Sequence, residues 1–245
     1  KLMRYCATAG LNSSMAAESF EQLLTRASKR KGGIENVTLL IGDAPNEQLL
    51  SKQGDDRFLA HFTKKVFQSG FVWRVVENKW PDFEEVFFNF DIEKILMMPE
   101  EMLERKASDP RIIRNFNKVK TIKANAQMIF NEQQNGHSFA KFIQEWPSND
   151  IIGLWAFLKK EGARLGGNTG AYALRTLGKD TFIISRDIEA YMRAHEVIDG
   201  GINTKSSHKA IQQCFNRWHE ESGLSYQQLS RLVALATGDN SIQVE

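Results

Sequence analysis

The sequence predicts an all-α protein, and three observations predict it. Apolar residues recur at three- and four-residue spacings along most of the 245-residue chain. Glycines, prolines and Ser, Asp or Asn caps cut that pattern into short segments. Alternating patterns are scarce, and the β-branched run at residues 181–184 is too short to build a sheet.

The elements follow in order. MAAESFEQLLTRASKRKGG places Phe20, Leu23, Leu24 and Ala27 on one helical face and stops at Gly32-Gly33. ENVTLLIGDAPNEQLLSKQGDD carries turn signals at Pro45 and Gly54 and reads as irregular chain or short helix. In DDRFLAHFTKKVFQSGFVWRVVENKW, Phe58, Phe62, Val66 and Phe67 form a helical stripe, and Gly70 precedes a second apolar group at Val72, Trp73 and Val76. Pro99 is placed to open a helix near Glu100. DPRIIRNFNKVKTIKANAQMIFNEQQNG reads as a helix opening at an Asp109 cap, with Ile112, Ile113, Phe116, Val119 and Ile122 on one side. Arg111, Arg114 and Lys118 then share the opposite face. SFAKFIQEW, NDIIGLWAFLKKEG, SRDIEAYMRAHEV, KSSHKAIQQCFNRWHEESG and SYQQLSRLVALATG complete about ten helices with short connections.

Bulk properties bound the function. With 42 % hydrophobic and 25 % charged residues the chain can build a full core, as one large domain or two small lobes. A formal charge of +2 neither requires nor excludes a polyanion partner, because clustering on one face decides that. Cys6 and Cys214 lack C-x-x-C spacing, which argues against a disulfide framework, a zinc ribbon or an iron–sulfur cluster and fits a reducing compartment. No apolar run approaches the roughly 20 residues needed to cross a bilayer. The expectation is a soluble, cytoplasmic protein without a membrane partner. Residues 1–14 lack a continuous apolar region and are set apart as an N-terminal extension; residues 15–240 are expected to form a single domain.

The stretch LWAFLKKEGARLGGNTGAYALRTLG reads as helix, tight turn, helix. Gly162 can end the first helix, Gly166-Gly167 relax the turn, and Asn168 or Thr169 can cap the second. Such a turn aims backbone N–H groups at one phosphate, with Lys159, Lys160 and Arg164 close by in sequence. On local pattern alone an ordinary αα-hairpin with glycine caps is the commoner reading. After the run TFIIS comes Asp187, 18 residues beyond Thr169.

This order resembles the helix-hairpin-helix DNA glycosylases, where a Gly-x-x-Thr hairpin precedes an extended run and a catalytic aspartate. The corresponding residues are Gly166, Asn168, Thr169 and Asp187. The family pattern has Pro-Gly where this chain has Ala163-Arg164. A longer resemblance, from Phe58 to Asp187, is to the DNA-3-methyladenine glycosylase I family. It rests on Gln68, Gly70 and Trp73, then Phe90-Asp91, Ile112-Ile113-Arg114, Lys118, Ile122 and Asn125-Ala126. The resemblance implies a two-lobed helical bundle carrying a helix-hairpin-helix motif. It further implies a monomer that excises a damaged, alkylated base from double-stranded DNA in the nucleoid of a bacterial cytoplasm.

The same resemblance assigns roles. Asp187 stabilises the cationic sugar transition state and orients water; the residue-level alternative is an N-cap for the helix that follows. The base must first leave the stack. Trp73 is the stacking candidate and Gln68 the reader of the base edge; core packing and a solvent-facing amide are the alternatives. Phe67 and Phe71 read as core aromatics. Gly166, Gly167, Asn168, Thr169, Arg164 and Lys160 form the expected DNA-binding hairpin. Arg114 and Lys118 are candidate phosphate contacts or a solvated helix face. Family members carry an acidic residue three positions before the Gln68 equivalent, where this chain has Lys65, which would repel a cationic base. They also carry a Cys and His zinc site whose ligands are missing after Asp187, so neither a metal nor another cofactor is expected. Bifunctional relatives have a lysine before the hairpin threonine. Asn168 cannot form a Schiff base, which implies a monofunctional enzyme. A DNA-binding protein that has lost excision is the competing reading.

Overall fold

The computed structural model describes residues 17–238. Fourteen α-helices, joined by turns and short 3₁₀ segments, account for the fold, with no strand among the described residues. The helices begin with α1 (Phe20–Lys31), α2 (Ile34–Ile41), α3 (Asp55–Gln68), α4 (Trp73–Asn78) and α5 (Trp80–Val86). Then come α6 (Ile92–Met97), α7 (Glu100–Ala107), α8 (Phe116–Gln133), α9 (Phe139–Glu145) and α10 (Ile151–Glu161). The last are α11 (Asn168–Leu177), α12 (Arg186–Ala194), α13 (Lys205–Ser222) and α14 (Tyr226–Thr237). The all-α expectation is met, with more and shorter helices than periodicity alone resolves. The proposed extension at residues 1–14 lies outside the described residues.

The chain divides into two compact units. Residues 46–147 and 153–179 form one. Here α3 packs against α8, α9 and α11. Its stripe of Phe58, Phe62, Val66 and Phe67 is fully buried, together with Phe83, Phe90, Val119, Ile122, Leu158 and Leu174. Burial of each such side chain contributes about 1.5–3 kcal/mol. Asp55, at the first position of α3, accepts from the backbone N–H groups of Phe139 and Ala140 (both 2.9 Å) and so caps α9 from a distance.

Residues 17–45, 148–152 and 180–238 form the second unit. α14 packs on α1, α2, α12 and α13, burying Leu23, Val37, Ile188, Met192, Phe215, Trp218 and Leu232. The β-branched run before α12 forms neither helix nor strand. It is tied to α14 instead: Ile183 N–H donates to Ser230 Oγ (3.1 Å), and Asp180 accepts from the first two N–H groups of that helix.

One predicted helix is corrected. No helix opens at Asp109; α8 starts at Phe116, where the Asn115 side chain accepts from the Lys118 N–H (3.1 Å). Asp109 instead holds Arg111 through its backbone and guanidinium, and Arg111 also pairs with Glu85. Arg111 and Arg114 therefore precede the helix, and the shared basic face with Lys118 does not form.

Candidate active site

The hairpin joins α10 to α11. Gly162 ends the first helix as expected, and Leu165 is buried beneath the turn. Gly167, with φ +59°, occupies the cap position of α11, which no side chain caps. This corrects the expectation that Asn168 or Thr169 caps the helix: they are its first two residues, and the cap position is held by a glycine, which has no side chain to offer. Gly170 is required by close approach, since a Cβ there would lie 2.5 Å from the Leu165 carbonyl oxygen.

Asn125 on α8 clamps the turn. Fully buried, it accepts from the Ala163 N–H (2.7 Å) and donates to the Ala163 carbonyl (3.2 Å). Arg164, next in the turn, has φ +59°. An L-residue is strained there by about 1–2 kcal/mol, and this is the position where the family pattern has glycine. Arg164→Gly is therefore expected to stabilise the protein by about 1 kcal/mol, read as a higher urea midpoint at unchanged slope. A lower midpoint would show that the arginine side chain holds the turn.

A cleft of about 320 Å³ opens beside the turn, lined by Val66, Ser69, Arg164, Gly166 and Thr169. Lys160 is exposed and pairs with Glu161 (2.7 Å). Arg114 is also exposed, near Glu104 and Phe116. Lys118 departs from the phosphate-contact expectation. It is buried, and its ammonium donates to the Phe67 carbonyl (3.1 Å) and the Ser69 carbonyl (2.8 Å). Burial, and then the nearby Arg164 charge, push its pKa down. Lys118 thus satisfies carbonyls at the C-terminal end of α3, whose last turn carries Lys65 and Gln68 and is followed by Trp73 at the start of α4.

Those residues come together. Gln68 is 2 % exposed, not solvent-facing; its Nε2 donates to Glu77 Oε1 (2.9 Å), while its Oε1 is buried without a partner. Glu77 also pairs with Lys64 (3.1 Å). Trp73 is 51 % exposed, with Tyr172 of α11 edge-on at 6.0 Å between centroids. The Lys65 ammonium lies 4.8 Å from the Trp73 ring centroid. Burial pushes its pKa down, partly offset by Glu77. Phe67 is core, as read from the sequence, but Phe71 is exposed.

Asp187 belongs to the second unit and is the second residue of α12. Ser185 is the N-cap, accepting from the Ile188 N–H (3.3 Å), so the capping role considered for Asp187 is filled by another residue. The Asp187 carboxylate lies against Gly238 at the end of α14, where a Cβ would come within 2.7 Å of Oδ2. Sequence reasoning missed Gly238 and Glu77. Asn125 it met only as part of a motif.

Among the described residues no cluster of three His, Cys, Asp or Glu could hold a metal ion, and no helix is long and apolar enough to cross a membrane.

Known proteins resemble parts of this chain. Residues 50–156 match the methyladenine glycosylase family model. DNA-3-methyladenine glycosylase 1 of Escherichia coli (strain K12) is 29 % identical over 115 residues, 47 % of this chain and 62 % of the relative. The chain thus spans less than two thirds of that relative's length. A crystal structure of 3-methyladenine DNA glycosylase I has 26 % identity and a TM-score of 0.45, covering 55 % of this chain and 81 % of that one. The 8-oxoguanine DNA glycosylase of Methanocaldococcus jannaschii shares the fold, with a TM-score of 0.54 at 15 % identity over 89 % of this chain and 95 % of its own. Residues 50–156 are thus similar to the methyladenine glycosylase family, and the all-helical fold is shared with that 8-oxoguanine DNA glycosylase.

Proposed function

We propose that the protein is a monofunctional DNA glycosylase that holds damaged duplex DNA at the hairpin, takes the damaged base out of the stack and hydrolyses its N-glycosidic bond. The observation that carries this reading is the hairpin. The α11 N-terminus follows a turn held by buried Asn125 and lies in the same unit as Lys65, Gln68 and Trp73, and in this reading they serve as phosphate site and base site. N–H groups and the helix dipole there suit one phosphate of the backbone, with Arg164 and Lys160 adding charge and Arg114 a further contact.

Breaking the bond builds positive charge at the sugar. In this reading the Asp187 carboxylate stabilises that charge and aligns the attacking water. Trp73 supplies a face for the flipped base, and Gln68 reads its edge. Asn168 has no amine to attack the sugar, so the product is an abasic site on an uncut strand. The family match favours an alkylated base, whereas the Lys65 ammonium disfavours a cationic one. That ammonium also supports a second reading, DNA binding without excision, because it covers a face of Trp73.

Duplexes carrying single alkylated, deaminated or oxidised bases separate the two. Base release without strand cleavage, and without a borohydride-trapped adduct, is the expected result. Binding of an abasic-site analogue that weakens steeply with salt, but no release from any duplex, would favour the non-catalytic reading. A trapped adduct would overturn the monofunctional assignment.

A further inference from the structure

Resting on the glycosylase reading, we propose that Lys65 directs the base pocket toward bases with a lactam edge, a ring carbonyl beside a ring N–H, and away from cationic alkylated adenines. Deaminated and oxidised bases carry such an edge.

The pocket's unspent hydrogen-bonding groups support this. Lys65 and Gln68 stand three residues apart on α3 and so share a face. Among the described residues, the Lys65 ammonium makes neither an ion pair nor a hydrogen bond; it lies over the Trp73 ring, 4.8 Å from its centroid. Its N–H donors are therefore available. Gln68 is the converse. Its Nε2 is committed to the Glu77 carboxylate, which as an acceptor fixes the amide's orientation. Oε1 is left as a buried acceptor with no partner. An unsatisfied buried acceptor is costly in an isolated protein, and a ligand N–H would relieve it.

Lys65 thus offers free donors and Gln68 a buried, unsatisfied acceptor that a base reaching past the half-exposed Trp73 indole would have to uncover. The complementary edge is a carbonyl to take the ammonium's hydrogen bond and an adjacent N–H to give one to Gln68. Hypoxanthine, uracil and 8-oxoguanine have both. A base stacking on Trp73 displaces the ammonium from the ring to the base rim, where a carbonyl is its natural partner. A cationic adenine offers like charge, beside an ammonium whose surroundings already disfavour charge. Guanine and thymine share the lactam edge, so rejection of undamaged DNA falls to the flipping step, which is easiest for mismatched bases.

The test uses the full chain and four duplexes, each with one hypoxanthine, uracil, 8-oxoguanine or 3-methyladenine, scored by abasic-site formation. Release of at least one lactam base should exceed that of 3-methyladenine roughly 100-fold, and Lys65→Glu should reverse the order. Release of 3-methyladenine alone by the wild type would overturn this proposal and leave the glycosylase reading intact. If no duplex loses its base, the excision reading fails, and titration with free bases decides the pocket's preference. Hypoxanthine should quench Trp73 fluorescence at lower concentration than adenine, with Trp73→Phe as the blank and Lys65→Gln reducing the difference. Equal or reversed affinities would overturn the proposal.

Discussion

Asp187→Asn is expected to lower base release about 10²–10³-fold while leaving affinity for abasic-site DNA close to that of the wild type. Asparagine keeps the shape that fits against Gly238 but removes the negative charge. Fold effects should be small, because Ser185 rather than Asp187 caps α12. Removing an acid from the first helical turn costs only about 0.3–1 kcal/mol. Loss of rate without loss of folding therefore isolates the chemical step. Single-turnover release, thermal unfolding and binding should be measured on the same preparation. A variant that releases base at the wild-type rate would remove Asp187 from the reaction.

Asn125→Ala should lower stability by about 1–3 kcal/mol, because it removes the partner of both backbone groups of half-buried Ala163. It also leaves a void beneath the turn. The Asn125 Oδ1 sits 3.1 Å from where a Cβ on Gly162 would stand, so the side chain fills the space that glycine vacates. The hairpin should loosen and affinity for abasic DNA should fall with it. Urea denaturation reads the first effect and a binding titration the second. A stability change below about 0.5 kcal/mol would mean that water or local rearrangement replaces the clamp.

Much of the fold was legible because local chemistry punctuates it. The buried stripe from Phe58 to Phe67, the helix after Pro99 and the stop at Gly162 each follow from spacing and backbone preference alone. The start of α8 was not legible. Asp109 and Asn115 are both acceptable caps six residues apart, and only the turn that Asp109 makes with Arg111 excludes the first. A charge pattern likewise cannot show whether a lysine reaches solvent or a distant carbonyl. Lys118 reaches Phe67 and Ser69, about fifty residues earlier in the chain.

The candidate site divides in the same way. The glycine turn was legible from its residues, whereas Asp187, Gln68, Trp73 and Lys65 were named through the resemblance to the glycosylases. Their partners came from packing. Glu77 orients the Gln68 amide, Asn125 holds the hairpin, Gly238 makes room for the Asp187 carboxylate, and the Lys65 ammonium rests on Trp73. The sequence alone established helices, breaks and the chemistry available. Tertiary structure decided which polar groups are spent and which are left to meet a ligand, because hydrogen-bond satisfaction depends on neighbours that only folding brings within about 3 Å.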